Sequence, residues 1–115
     1  MTLSTHLLDV EHGRPLAGVP VLVEQLLDQG WVPVAHARTG TDGRAGGLVP
    51  ADSWRPGTWR LTVDTTAAHG PEAFYPQVTV VVAIGADPAA PDGAPAHHHL
   101  PLLLSRHGYT TYRGS

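Results

Sequence analysis

The chain has no cysteine and no lysine, and only 15% of its residues are charged. Without cysteine there are no disulfides, no thiol chemistry and no thiolate metal sites, so packing alone must hold the fold. Without lysine, all seven basic residues are arginine; they are scattered along the chain, and the net charge is −3. No basic run is present to track a phosphate backbone, which argues against a nucleic-acid partner. No apolar run reaches membrane-spanning length, and residues 1–6 carry neither a basic n-region nor an apolar h-region. The expectation is a soluble, cytoplasmic protein without a membrane partner. Also missing are a Gly-x-Ser-x-Gly nucleophile turn and a glycine-rich phosphate loop.

What is present is a succession of short β-branched runs. At 115 residues the chain forms one domain, residues 1–115, with a modest core. The segments Thr2–Val10, Val19–Leu27, Trp31–Thr39, Thr58–Thr65, Val78–Ile84, Ala96–Leu104 and Tyr109–Arg113 read as strands. Ala45–Val49 reads as a short edge strand. The clearest period-2 pattern is Thr58–Thr65, where Trp59, Leu61 and Val63 face one way and Arg60, Thr62 and Asp64 the other. Turn clusters separate the runs, notably Thr39-Gly40-Thr41-Asp42-Gly43-Arg44. Only Thr66–Ala73 leaves room for a helix, and Gly70-Pro71 would end it. The pattern is all-β, an antiparallel β-sandwich with at most one short helix.

Four of the eight histidines lie between residues 97 and 107. The triplet His97-His98-His99 invites a metal reading, but on a strand only His97 and His99 share a face. No carboxylate or thiol follows at ligand spacing, so no metal site is expected. His12, His36, His69 and His107 fall in loops or on the polar phase of strands and read as solvated or hydrogen-bonded structural residues. His6 and His99 differ, since each sits in a strand beside apolar neighbours. Rigid placement suits acid–base work, although a cross-strand structural pair is the commoner role. Arg44, after Asp42-Gly43, is either a solvated turn residue or a guanidinium fork aimed at a carbonyl or carboxylate. Arg113 and the terminal carboxylate of Ser115 form at least a weak surface ion pair. Two histidines and an arginine, without nucleophile or metal, would suit water activation and oxyanion stabilisation on an already electrophilic substrate.

Several blocks together carry a family resemblance. They are Leu3-Ser4-Thr5-His6-Leu7-Leu8-Asp9, Gly13-Arg14-Pro15, Thr41-Asp42-Gly43-Arg44, Phe74-Tyr75-Pro76, His99-Leu100-Pro101-Leu102-Leu103-Leu104-Ser105 and Gly108-Tyr109-Thr110-Thr111-Tyr112-Arg113-Gly114-Ser115. In this order they resemble the 5-hydroxyisourate hydrolases, the transthyretin-like enzymes of urate catabolism. The terminal Tyr-Arg-Gly-Ser is the signature that separates those enzymes from transthyretin, the hormone carrier. The resemblance implies a transthyretin-like sandwich of two four-stranded sheets. It also implies a homotetramer, a dimer of dimers with active sites in the channel between dimers. The implied reaction is hydrolysis of 5-hydroxyisourate to 2-oxo-4-hydroxy-4-carboxy-5-ureidoimidazoline, without a cofactor or metal.

Position by position, the resemblance implies that His6, Arg44, His99 and Ser115 are catalytic. It implies substrate contacts from His6, Arg44, Tyr112, Arg113 and Gly114. In that scheme the two histidines hold and deprotonate water, Arg44 binds the polarised oxygen, and Tyr112 and Ser115 shape the pocket floor. The chain departs from the family pattern at His98, commonly Tyr, and Arg106, commonly Pro, and is shortened between Asp64 and Phe74. The alternative is a carrier of the same fold that holds a small aromatic ligand without turnover. A channel built for that would be more apolar at His6, Arg44 and His99.

Overall fold

In the computed structural model, which describes residues 2–115, the β-branched runs become strands in the expected places. They are β1 (Leu3–Asp9), β2 (Arg14–Pro15), β3 (Pro20–Leu27), β4 (Gly30–Arg38), β5 (Arg44–Ala45), β6 (Gly57–Asp64), β7 (Gln77–Ile84), β8 (His98–Leu104) and β9 (Tyr109–Thr111). A single helical turn, α1 (Thr66–His69), follows β6. A 3-10 turn, Gly70–Glu72, then carries the chain away, with Pro71 in its first residues. The expected edge strand at Ala45–Val49 pairs only through Arg44 and Ala45. The two glycines that follow favour a loop. That loop is still tied to β1, since the Leu48 amide donates to the Leu3 carbonyl at 2.9 Å.

Two sheets form a sandwich. One runs β4-β3-β6-β7; the other runs β2-β1-β8-β9, with β5 also on β1. The expectation of two four-stranded antiparallel sheets therefore needs two corrections. β5 brings the second sheet to five strands, because β2 and β5 take different stretches of β1, opposite Leu8–Asp9 and Thr5–His6 respectively. The pairing of β1 with β8 is parallel, running from Leu3↔His98 to Asp9↔Leu104. No hairpin joins these two strands, so no tight turn forces them antiparallel.

Strand alternation builds the core. On β1, Leu3, Thr5, Leu7 and Asp9 are buried; on β8, Leu100, Leu102 and Leu104. They face Val21, Val23, Trp59, Leu61, Val63 and Val78 of the other sheet. Trp54 and Trp59 pack with ring centroids 5.2 Å apart. Each indole N–H donates to a loop carbonyl, of Ala96 and Arg55 respectively, so neither ring buries an unpaired donor. Edge strand β4 contains Pro33, where an amide donor is missing, and the ladder with β3 slips between Val23 and Glu24 at that point.

At the far end of β1, Asp9 is 2% exposed and organises the next loop. It accepts from the Glu11 and His12 amides and, at 2.7 Å, from His12 Nδ1. Burial alone would raise its pKa, but the His12 ring and backbone hydrogen bonds outweigh that and hold the carboxyl below its ordinary value. His69 is not solvated as its sequence context suggested. Its ring is buried against Asp9, 3.7 Å away, and neither ring nitrogen has a hydrogen-bond partner among the described residues. Arg106 bridges Glu11 and Glu72, joining the loop after β1 to the segment after α1.

Gly43 holds the turn before β5 against β1. Its φ is +79°, and a Cβ there would lie 2.5 Å from the Leu7 carbonyl oxygen and 2.9 Å from Pro15 Cβ. The Gly43 carbonyl accepts from the Leu7 amide at 2.8 Å. Only glycine combines this backbone with so close an approach. Gly43→Ala is expected to destabilise the domain by about 1–3 kcal/mol, read as a lower urea midpoint with an unchanged m-value.

Candidate active site

Alternation that buries Leu3, Thr5 and Leu7 turns Ser4 and His6 to the outer face of the five-stranded sheet. The same rule on β8 buries Leu100 and Leu102 and turns His99 outward. The parallel register then sets Ser4 opposite His99, and the antiparallel register with β5 sets His6 opposite Arg44. Residues from both ends of the chain and from a central turn thus meet on one face.

The turn at Gly43 determines the state of His6. Its Nε2 lies 2.8 Å from the Asp42 carbonyl oxygen, which can only accept. Neutral His6 therefore carries its proton on Nε2 and presents a bare Nδ1. Asp42 also accepts from the Arg44 amide at 3.0 Å, shaping the turn. Its other oxygen lies 3.9 Å from Arg44 Nε, a loose contact that leaves the guanidinium free to engage another oxygen.

His99 is fixed on both sides. Ser4 Oγ lies 2.8 Å from Nδ1, which leaves Nε2 as the ring nitrogen available to a ligand. Against the other edge of the ring lies Gly114, whose amide donates to the His99 carbonyl at 2.8 Å. A Cβ on Gly114 would come within 2.6 Å of His99 Cδ2, so the glycine of the terminal tetrapeptide is needed to seat this ring. Burial lowers the His99 pKa, and the nearby charges of Arg44, His6 and His97 lower it further. The imidazole is consequently neutral near pH 7 and able to accept a proton.

Ser4, Arg44, His97, His99 and Ser115 line one cleft of about 260 Å³. His6 stands on the same strand face as Ser4, beside Arg44. Tyr112 and Arg113 line an adjoining opening of about 320 Å³ with His98, Thr111 and Val82, and His99 forms a wall of both. The structure thus unites His6, Arg44, His99 and Ser115, and places Tyr112 and Arg113 next door in a single copy. His98 turns to the opposite side, its ring edge-on to Trp54 at 6.1 Å. Two polar residues of the cleft were missed by sequence reasoning, Ser4 and His97. The only available signal was the two-residue spacing of His97 from His99. A larger concavity of about 760 Å³ on the other sheet contains none of these residues. Its Arg38 already donates to the Gly18 carbonyl, and Asp64 accepts from Thr66.

Fold and site together define a small β-sandwich with a histidine–arginine cluster on the outer face of one sheet. The chain belongs to the HIUase/Transthyretin family, whose model matches residues 3–114. It is 37% identical over 116 residues to the 5-hydroxyisourate hydrolase of Salmonella dublin, covering 98% of this chain and 80% of the relative. Among solved structures it is similar to the 5-hydroxyisourate hydrolase of Klebsiella pneumoniae, with TM-score 0.78, 31% identity and full coverage of both chains. It also resembles sea bream transthyretin in complex with thyroxine, with TM-score 0.84 and 29% identity over 99% of this chain and 95% of that one.

The depressed His99 pKa yields a direct measurement. In a histidine NMR titration, His99 should have its midpoint below the ordinary 6.5. In Arg44→Ala one of the depressing charges is gone, and the midpoint should move upward. An unchanged midpoint would show that Arg44 and His99 do not share a field.

Proposed function

We propose that this protein hydrolyses 5-hydroxyisourate to 2-oxo-4-hydroxy-4-carboxy-5-ureidoimidazoline, using its own side chains and water. The observation that carries this reading is a neutral, rigidly seated His99 sharing one cleft with Arg44, with His6 paired opposite Arg44 on the neighbouring strand. The product gains a carboxy and a ureido group, so the bond that breaks is a ring bond between a carbonyl carbon and nitrogen. His6 Nδ1 and His99 Nε2 hold the attacking water and take its proton. The oxygen adds to the ring carbonyl, and Arg44 donates to the developing oxyanion. Collapse expels the ring nitrogen, and the imidazolium returns the proton to it. Ser115, which lines the same cleft, shapes its floor. Tyr112 and Arg113 bind the substrate from the adjoining opening, and Gly114 keeps His99 in place.

The carrier reading draws on the likeness to the thyroxine-bound sea bream transthyretin. Against it stands the cleft itself, which carries an arginine and two histidines where an aromatic ligand would need apolar walls. Single substitutions discriminate. His6→Ala, His99→Ala and Arg44→Ala should each lower kcat/KM, followed as loss of 5-hydroxyisourate absorbance, by about 10²–10³-fold. Near-wild-type rates in all three would sink the assignment.

The active form in this proposal is a homotetramer, a dimer of dimers. Among the strands with one unpaired edge in the described residues are β7 in one sheet and β9 in the other. Exposed Phe74, Tyr75, Tyr109 and Tyr112 stand in and around the segments that flank those edges. The face bearing the cleft also carries half-buried Leu8 and Leu103. Apposition of two such faces would exclude water from the cleft, which strengthens every charge interaction inside it. Mass measurement in solution should give four copies; a monomer would count heavily against this arrangement.

A further inference from the structure

The hydroxyl of Ser4 is unusual in having two imidazole partners. Its Oγ lies 2.8 Å from His99 Nδ1 and 2.9 Å from His97 Nε2. Ser4 is 8% exposed, so little water competes for these bonds. A hydroxyl has one proton to give and two lone pairs with which to accept. Between two neutral rings it can donate to only one of them, and two arrangements direct its proton to a ring nitrogen. In the first, Ser4 donates to His97 Nε2 and accepts from His99 Nδ1–H, which leaves His99 Nε2 bare. In the second, Ser4 donates to His99 Nδ1, which puts the proton of His99 on Nε2 and removes its basic atom. The choice between them is a choice between an active and an inactive base.

We propose that Ser4 and His97 are positioning residues that fix His99 in the tautomer with a free Nε2, His97 serving as the acceptor that holds the Ser4 proton away from His99. This deepens the function proposed above and rests on it. Neutral His97 must then carry its own proton on Nδ1. The other titratable and charged groups facing this chain are His6 on β1, Arg44 on β5 and the Ser115 terminus.

The principle is general: the partner of one ring nitrogen decides which proton the other carries. The arrangement differs from a carboxylate-oriented histidine because the orienting group here is itself a neutral imidazole reached through a hydroxyl. No carboxylate contacts either ring nitrogen that Ser4 bridges.

The test combines nitrogen-15 histidine NMR with kinetics. In the wild type at neutral pH, His99 should show the Nδ1–H tautomer; in Ser4→Ala the Nε2–H form should become populated. Turnover in Ser4→Ala should fall about 10–100-fold in kcat with KM changed less than threefold, as for loss of a group that orients a catalytic ring. Ser4→Thr keeps the hydroxyl and should retain activity and tautomer. His97→Ala removes the acceptor without touching the core and should reproduce the Ser4→Ala loss. His97→Gln, whose amide oxygen can accept, should recover part of it. If Ser4→Ala and His97→Ala keep the wild-type tautomer and kcat while His99→Ala is inactive, the relay is wrong and the hydrolytic site stands. If His99→Ala is also fully active, the site assignment itself fails.

Discussion

The parallel register of β1 against β8 is the constraint on which the functional face depends. It sets Ser4 against His99 and His6 against Pro101. Because side chains alternate along a strand, a slip of one residue would turn His99 into the core and Leu100 out of it. Such a slip is strongly resisted: Leu3, Leu7, Leu102 and Leu104 are each 2% exposed or less, and reversing them would expose about 1.5–3 kcal/mol of apolar burial per side chain. The core therefore enforces the alignment of the cleft, which buried Thr5 and Ala45 also line. Thr5 adds a direct lock, its hydroxyl donating to the Leu100 carbonyl at 2.7 Å.

Around that register, the site is assembled from short local devices. Gly43 brings the Asp42 carbonyl to His6 and sets the proton of that ring. Gly114 gives the His99 ring its seat. Arg44 is held more loosely, its Nε 3.9 Å from the Asp42 carboxylate.

Much of this was legible in the residues. Strands such as β6 and β7 announce themselves by β-branched alternation, and the Asp42-Gly43-Arg44 turn by its composition. The pairing of β1 with β8 was not legible, because strand direction between segments so distant in sequence is set by the path of the whole sandwich. The roles of Ser4 and His97 depend on that pairing and were hidden with it. His69 was misjudged for a related reason: its local sequence is that of an exposed turn, and only the packing of that turn onto Asp9 buries the ring. The resemblance located His6, Arg44, His99 and the tail, whereas the hydrogen bonds between them came from three-dimensional register.

The two strands that carry the site also lie near opposite ends of the chain, with the Ser4–His99 contact spanning 95 residues. Contacts that close so much of a chain form slowly, because the loop-closure entropy must be met before the pairing rewards it. On the ribosome the consequence is stricter still. The four-stranded sheet of β3, β4, β6 and β7 can begin to pair while synthesis continues, but β1 has no parallel neighbour until β8 emerges. Until then β1 waits with an apolar face and an unsatisfied edge, and the chain must keep that strand from associating with other chains before β8 arrives.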